Sequence, residues 1–328
     1  MILAADLGGT KSILALFDAE KGVERPLHEE MFPSREYDSL EAIVGPFLEA
    51  TRAKPTAASF GVAGPVVNRS SHLTNLPWVI DADAISQAFD IPQVHLLNDL
   101  QASAIAVLHL TADAITTLNV GQRDSTGAIG VIAPGTGLGE AFLVWTGQRY
   151  QSYPTEGGHA SFAPVTHEQV ELLDYLEPRF GHVSFERVCS GSGIPNLYDY
   201  LRMKGQYDEP DWLLEALAQA PDPTPVIINA ALAGKTRLCV ATLDLFVRIL
   251  GGVISNLALQ VFASGGIYLG GGIPPRILPR LQKPDFLEAI RYKGRFSDWM
   301  ARIPVHVILD PKAALHGAAW HAVEHLGQ

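Results

Sequence analysis

The sequence contains only two cysteines among its 328 residues, Cys189 and Cys239, and they lie far apart. They cannot supply a disulfide framework or a cysteine-rich zinc site, so a disulfide-dense secreted scaffold is excluded and a reducing compartment is expected. The first residues, MILAADLGGT, have no basic leader, and Asp6 interrupts their apolar run. They predict the start of a strand rather than a signal peptide, and the expected location is cytoplasmic.

Positive charge is also scarce, since 24 Lys and Arg face 35 Asp and Glu, for a formal net charge of -11. An acidic protein repels phosphate backbones and anionic lipids, so nucleic-acid and membrane partners are not expected. The phosphates of a bound nucleotide must then be held locally, by backbone N–H groups, helix N-termini or Mg²⁺.

Several diagnostic motifs are missing from the chain: GxGxxG, HExxH, GxSxG and paired-cysteine spacings. Their absence removes the main signals for a dinucleotide fold, a zinc site and a serine hydrolase. Gly234, Lys235 and Thr236 resemble the end of a Walker A loop, but Asn229 stands where its first glycine belongs, and we predict surface helix there. The apolar stretch from Leu245 to Pro274 has too many polar interruptions for a membrane span, so it predicts a buried helix followed by a buried strand.

One pattern occurs twice, an apolar strand, a glycine turn and a second strand. Strands at Ile2 to Asp6 and Ser12 to Phe17 flank the first turn, and strands at Ala128 to Ala133 and Glu140 to Trp145 flank the second. This repeated pattern predicts an α/β protein with two related lobes that face each other across a cleft. We assign residues 1–109 and 303–328 to a small lobe, including a last strand at Val305 to Leu309, and residues 110–302 to a large lobe.

The first glycine turn, DLGGTK, predicts a phosphate cradle. Glycines lack a Cβ atom, so the backbone N–H groups of Gly8 and Gly9 can approach an anion closely. Asp6, at the end of the strand, could hold Mg²⁺ through water. A plain hairpin turn with a solvated Asp6 is the alternative. The predicted cofactor-binding residues here are Asp6, Leu7, Gly8, Gly9, Thr10 and Lys11.

Two further glycine-rich segments are weaker signals. APGTGLG offers Gly135, Thr136 and Gly137 to phosphates from the other lobe. GGIYLGGGIPP contains Gly271 and Gly272, against which adenine or ribose could lie, or which could serve only close packing of a helix on a strand.

The segment LLNDL places Asn98 and Asp99 where a strand ends and a helix begins, so rigid elements could aim the carboxylate into a cleft. Asn98 could equally cap the helix, and the two roles are compatible. TEGGH and FERV add Glu156, His159 and Glu186, donors and acceptors that suit a polyhydroxylated ligand.

In their order along the chain, DLGGTK, LTNLPW, LLNDL, APGTGLG, TEGGH, ERVCSGSG and the GGG turn resemble the bacterial glucokinase family of the actin-like sugar-kinase superfamily. RYKGRF followed by IPVHVI near the C-terminus is similar to this family too. The resemblance implies two ribonuclease-H-like lobes, ATP and Mg²⁺ as cofactors, phosphorylation of glucose at its 6-hydroxyl, and a homodimer. It also implies sugar contacts, with Asp99 as the catalytic base: Asn75, Asn98, Asp99, Glu156, His159 and Glu186.

The sequence departs from the family in one loop, because Lys11 stands where Asn is common. The added charge beside the phosphates could change the preference for the phosphate donor. Related regulators pair the His of a Glu-x-Gly-His element with a cysteine-rich zinc loop, which this chain lacks, so His159 is interpreted as a sugar contact. Kinases for fructose, mannose or an amino sugar, a non-catalytic sugar-sensing regulator, and an actin-like ATPase are the alternative functions.

Overall fold

The computed structural model describes residues 1–73 and 76–326. The predicted sugar contact Asn75 lies outside the described residues. The strands are β1 (Ile2–Leu7), β2 (Lys11–Phe17), β3 (His28–Pro33), β4 (Ala57–Val62), β5 (Val66–Val67), β6 (Ser70–His72), β7 (Val79–Asp81), β8 (Gln93–Asn98), β9 (Ile115–Asn119), β10 (Ile129–Pro134), β11 (Leu138–Trp145), β12 (Tyr150–Thr155), β13 (Gly266–Leu269) and β14 (Val305–Ile308).

The helices are α1 (Glu41–Thr51), α2 (Ala82–Phe89), α3 (Asp99–Ala106), α4 (His167–Phe180), α5 (Ile194–Met203), α6 (Asp211–Gln219), α7 (Thr224–Leu232), α8 (Arg237–Val261), α9 (Ile273–Arg276), α10 (Leu278–Leu281), α11 (Pro284–Arg291), α12 (Ser297–Met300) and α13 (Ala313–Glu324). The chain divides into two compact units. Unit 1 comprises Met1–Thr111, Ser152–Pro154 and Asp310–Gln328, and unit 2 comprises Ala112–Gln151 and Thr155–Leu309.

Unit 1 is built on a five-stranded sheet in the order β3-β2-β1-β4-β8. The hairpin β1–β2 is antiparallel, whereas β4 and β8 run parallel to β1. A parallel arrangement needs helices on both faces, and side chains that alternate along a strand must then be apolar on both. Along β1, Leu3 and Ala5 accordingly enter one apolar cluster, while Ile2 and Ala4 enter another on the opposite face.

The second face of that sheet is covered by α3 and α13, which lie far apart in the sequence. Leu315 and Ala318 of α13 share an apolar cluster with Ala102 of α3. The two helices approach so closely at Gly317 that a Cβ atom there would lie 1.7 Å from the carbonyl oxygen of Ala102. Glycine is therefore required for this contact.

Unit 2 repeats the arrangement in a six-stranded sheet of order β12-β11-β10-β13-β14-β9. Its hairpin β10–β11 is antiparallel, and β13 and β14 continue parallel to β10. The predicted α/β fold with two ribonuclease-H-like lobes is thereby confirmed.

The core of unit 2 surrounds α8, and the predicted buried helix and strand are confirmed in α8 and β13. Within residues 1–73 and 76–326, α8 is the one helix long and apolar enough to cross a membrane. Its most apolar 18-residue window has a mean hydropathy of 1.9, and 72% of that window is buried. The apolar surface of α8 is used to fill the protein core.

Two sequence predictions are wrong in detail. The last strand, predicted for the first lobe, pairs with β13 in the sheet of unit 2 because Ile267 and Leu269 align with Val305 and Val307 as neighbours in a buried parallel pair. The chain returns to unit 1 only at Asp310. The segment around Lys235 is a connection rather than a surface helix, because the side chain of Thr236 accepts a hydrogen bond from the Cys239 N–H and starts α8 there.

Candidate functional site

In unit 1, the ends of three neighbouring parallel strands bring the predicted catalytic residues together. Asp6 lies opposite Gly61, and Gly61 lies opposite Leu97, just before Asn98 and Asp99. Gly61 packs next to the start of α3, where a Cβ atom would make an ordinary contact of 3.7 Å with the Cα atom of Asp99.

The two carboxylates of this edge interact. Burial, then the nearby charge of Asp99, raise the pKa of Asp6 from 3.8 to about 6, while Lys11 acts in the opposite direction. Both side chains are half-buried rather than turned into bulk solvent. Two carboxylates this close favour a cation or a shared proton between them.

Asn98 begins α3 and is its N-cap, as predicted. Its Oδ1 accepts hydrogen bonds from the backbone N–H groups of Leu100 at 3.0 Å and Gln101 at 3.4 Å. Its Nδ2 donates to the carbonyl oxygen of Gly64 at 3.1 Å. The backbone at Asp99 is therefore fixed from both sides, and Asp99 Oδ1 accepts a further bond from Leu100 N at 2.8 Å.

The glycine turn that follows β1 is held by Ser34, a residue that the sequence analysis did not identify. Ser34 Oγ donates to the carbonyl oxygen of Gly8 at 2.7 Å, and Ser34 N donates to that of Thr10 at 3.1 Å. Ser12 Oγ lies 2.9 Å from Ser34 Oγ. Lys11 itself is exposed, so its ammonium group is accessible to a ligand.

In unit 2, the second glycine turn is fixed by the segment Ser190–Gly193. The N–H groups of Gly191 and Ser192 donate to the carbonyl oxygens of Gly135 and Thr136 at 2.7 and 3.1 Å. These two bonds hold the carbonyl oxygens of Gly135 and Thr136 toward Ser190–Gly193. A Cβ atom on Gly135 would meet nothing within 4 Å.

The three predicted sugar contacts of unit 2 lie together. His159 Nδ1 is 3.9 Å from Glu186 Oε1, and His159 Nε2 is 3.9 Å from Glu156 Oε2. Glu186 also has a structural task, because its Oε2 accepts a hydrogen bond from Leu138 N at 2.9 Å. That bond connects these three side chains to the strand that follows the second glycine turn.

A buried carboxylate, Glu140, underlies this group. It is 6% exposed, and burial raises its pKa from 4.5 to about 7. A Cβ atom on Gly157 would lie 2.1 Å from Glu140 Oε2, so the carboxyl group packs directly beneath the TEGGH segment. A Glu in an otherwise apolar strand is the signal in the sequence that could have identified Glu140.

Of the predicted nucleotide contacts near β13, Gly271 has a packing role. Its φ is 77°, and a Cβ atom there would lie 2.6 Å from the carbonyl oxygen of Pro134. Gly272 has open space at the same position. Among the described residues, no group of three or more His, Cys, Asp and Glu side chains could hold a metal ion.

The paired α/β sheets and these two sets of side chains define a sugar kinase of the actin-like ATPase fold. The sequence profile of the glucokinase family matches residues 3–325, and the chain belongs to this family, as the resemblance predicted.

Three similar proteins illustrate the relationship. The glucokinase of Trichormus variabilis is 38% identical over 97% of this chain and 98% of its own length. The crystal structure of a glucokinase from an Antarctic psychrotroph is 36% identical, covers 98% of both chains and has a TM-score of 0.85. A ROK family glucokinase from Streptomyces griseus, solved with glucose and AMPPNP, is 20% identical, covers 98% of this chain and 99% of its own, and shares the fold with a TM-score of 0.64.

Proposed function

We propose that this sugar kinase transfers the γ-phosphoryl group of ATP to the 6-hydroxyl of glucose, giving glucose 6-phosphate and ADP. The observation that carries the proposal within the molecule is the interaction of Asp6 with Asp99 beside a glycine turn. Asp6 is available for the cation that accompanies a nucleotide, and Asp99 is available for the hydroxyl that attacks the γ-phosphorus. Membership of the glucokinase family selects glucose and ATP.

Asp99 is assigned the role of base. It orients the 6-hydroxyl and accepts its proton as the oxygen–phosphorus bond forms, while the bond from the γ-phosphorus to the leaving oxygen of ADP breaks. Its fixed backbone, with Asn98 as the cap, limits the freedom that the side chain must lose on binding. We assign the remaining sugar contacts to Asn75, Asn98, Glu156, His159 and Glu186.

The nucleotide contacts are assigned to the glycine segments. The residues from Asp6 to Lys11 and from Gly135 to Gly137 bind the phosphates through backbone N–H groups, and Gly271 and Gly272 lie near the base or ribose. The Streptomyces griseus relative, solved with glucose and AMPPNP, supports ATP as the donor.

The family implies Mg²⁺, and the residues fit it. Mg²⁺ takes one or two carboxylates, several waters and the substrate's phosphates, and half-buried Asp6 with a raised pKa is a carboxylate that gains from a nearby cation. Asp6 would hold the ion through water. When bound, the ion supplies positive charge to the phosphate oxygens.

The composition of the chain also bears on the location and the partners of the enzyme. A net charge of -11 and the two reduced cysteines agree with a cytoplasmic protein whose partners are glucose and ATP rather than nucleic acid or membrane. We propose a homodimer, as the family resemblance implies.

The test is a coupled assay of ADP release with glucose, fructose, mannose and glucosamine. Glucose should give the highest kcat/KM, and ADP release should depend on sugar. A higher kcat/KM with another hexose would reassign the substrate while keeping the kinase. ADP release at the same rate without any sugar would instead identify an ATPase and overturn the proposal.

A further inference from the structure

A small cavity in unit 2 is lined by cationic and amide side chains that the proposed reaction does not use. Its volume is about 80 Å³. A water molecule needs about 10–15 Å³ of such space, so there is room for several waters or for one compact anion. The polar lining residues are Gln169, Arg248, Asn256 and Lys293.

Lys293 brings a positive charge that no acidic side chain balances. Its Nζ donates to Asn256 Oδ1 at 2.7 Å, and within residues 1–73 and 76–326 it forms no ion pair with a carboxylate. Burial lowers the pKa of Lys293 from 10.5. Partial removal of an ammonium group from water without a counter-charge is unfavourable, and a bound anion would compensate for it.

The neighbouring charge is only partly neutralised. Arg248 Nη2 lies 2.6 Å from Glu168 Oε2, so this pair contributes no net charge and Lys293 leaves the cavity with an excess of one positive charge. The overall charge of the protein is strongly negative, so this local excess is not a consequence of general composition.

The amides add hydrogen-bond donors rather than acceptors. Gln169 is 2% exposed, and its Oε1 already accepts the Val165 N–H at 2.8 Å. Gln169 lines the cavity, so its Nε2 is the amide atom left to donate to a ligand. Asn256 likewise uses its Oδ1 for Lys293, which leaves its Nδ2 as a donor. Amide donors that line a cavity beside a cation are an arrangement that can bind an oxyanion.

We propose that this cavity is a binding site for a tetrahedral oxyanion of the phosphate class, held by Lys293, Gln169 and Asn256. The residues that line this cavity are not those proposed to bind the nucleotide. Phosphate binding to the cavity can therefore be measured without an activity assay. Its apolar walls are Phe162 and Phe185, whose rings meet edge to face at 5.7 Å. Phe185 directly precedes Glu186, so the occupied cavity would stabilise the segment that carries a sugar contact.

The experiment is calorimetric titration of the whole protein with inorganic phosphate, compared among wild type, Lys293→Gln and Arg295→Gln. Lys293→Gln should weaken phosphate binding by about 10-fold or more, the effect of losing one charge-assisted hydrogen bond. Arg295→Gln is the matched control, because Arg295 is an exposed cation of the same segment, and it should bind phosphate like wild type.

Two more variants separate the alternatives. Asn256→Asp should weaken phosphate binding by a similar factor, because a carboxylate in place of the amide neutralises Lys293 without changing the shape of the side chain. If Lys293→Gln fails to fold, this variant still tests the site. Lys11→Gln should leave this binding unchanged. Loss of binding in Lys11→Gln with retention in Lys293→Gln would place the phosphate on the glycine turn and overturn the proposal, as would the absence of saturable binding to wild type.

A parallel titration with glycerol phosphate identifies the source of the anion. Binding of inorganic phosphate alone supports a site for the free ion. Equal binding of both, each lost in Lys293→Gln, supports a site that also accepts the phosphate of a larger metabolite.

Discussion

The hydroxyl group of Ser34 donates a hydrogen bond of 2.7 Å to the carbonyl oxygen of Gly8, 26 residues earlier in the chain. Both Ser34 and its neighbour Ser12 are fully buried. The bond turns the Gly8 carbonyl toward the protein, which helps to fix the orientation of the peptides in the turn assigned to phosphate.

Replacement of Ser34 tests this role. Ser34→Ala leaves the Gly8 carbonyl oxygen without its donor, so we expect a loss of about 1–3 kcal/mol in unfolding free energy and a several-fold higher KM for ATP. Denaturant unfolding and steady-state kinetics measure the two effects. Ser39→Ala, which removes only a weak 3.4 Å bond, is the control. An unchanged KM for ATP would show that Ser34 serves stability alone.

Asp99→Asn removes the proposed base but keeps the shape and the capped start of α3. We expect kcat to fall by about 10²- to 10⁴-fold, with ATP affinity nearly unchanged. Single-turnover kinetics and nucleotide titration give the two quantities, and exposed Asp38→Asn is the control. Near-normal turnover in Asp99→Asn would remove Asp99 from this role.

The acid limb of the pH profile should report Asp6. Its pKa is raised to about 6, so protonation below this pH should weaken the binding of Mg²⁺ and ATP and lower kcat/KM for ATP. Lys11 holds that pKa down, so Lys11→Gln should move the acid limb to higher pH. Lys21→Gln, at an exposed lysine paired with Asp18, should leave the profile in place. A shift to lower pH in Lys11→Gln would contradict the assignment to Asp6.

Gly137→Ala should affect the sugar rather than the fold. The new Cβ atom would lie 2.4 Å from Glu186 Oε2, so the flexible carboxylate must move and lose its bond to Leu138 N. We expect the KM for glucose to rise by about 10-fold, the cost of one charge-assisted hydrogen bond, with only a small change in Tm. Gly45→Ala, where the Cβ atom makes an ordinary 3.6 Å contact in α1, is the control. An unchanged KM for glucose would mean that Glu186 does not contact the sugar.

Because of Glu140, the stability of the fold should decrease as the pH rises from 4.5 to about 7. Its folded-state pKa is raised from 4.5 to about 7, so its favourable contribution is complete below pH 4.5 and is lost as the pH rises through 7. Glu140→Gln removes this titration and should be more stable than wild type at pH 8 by at most about 3 kcal/mol, relative to the difference at pH 4.5. Chemical unfolding at both pH values measures it, with exposed Glu288→Gln as the control. An equal difference at both pH values would show that Glu140 does not titrate in this range.

The regular elements of the fold could be predicted where the pattern of apolar residues was strong. The predicted strands Ile2 to Asp6 and Ser12 to Phe17 match β1 and β2 to within one residue, and the predicted strand Ala128 to Ala133 matches β10 equally well. Polar edge strands such as β3 carry no such pattern, because most of their side chains face solvent. Pairing with the neighbouring strand β2, rather than apolar periodicity, determines that β3 is a strand. The place of β14 depends on pairing with a strand far away in sequence, which apolarity alone does not specify.

The site was predictable where a motif is local and not where a contact is distant. Asn98 could be identified as a cap from its position at a strand-to-helix junction, and His159 does lie with Glu156 and Glu186. The link from Ser34 to the glycine turn could not be predicted, because it joins a hydroxyl to a backbone oxygen through the tertiary fold. The same holds for Lys293, whose missing counter-charge appears only once its neighbours are known.

The covering of one sheet face by α13 has a consequence for biosynthesis. A ribosome releases the strands of unit 1 first, but Leu315, Ala318, Ala319 and Ala322 must be made before that face is shielded from water. The intervening unit 2, whose central apolar cluster lies within residues 132–307, has its own core complete before then. We therefore expect unit 2 to fold earlier during translation than unit 1. One face of the unit 1 sheet stays uncovered until α13 has been made.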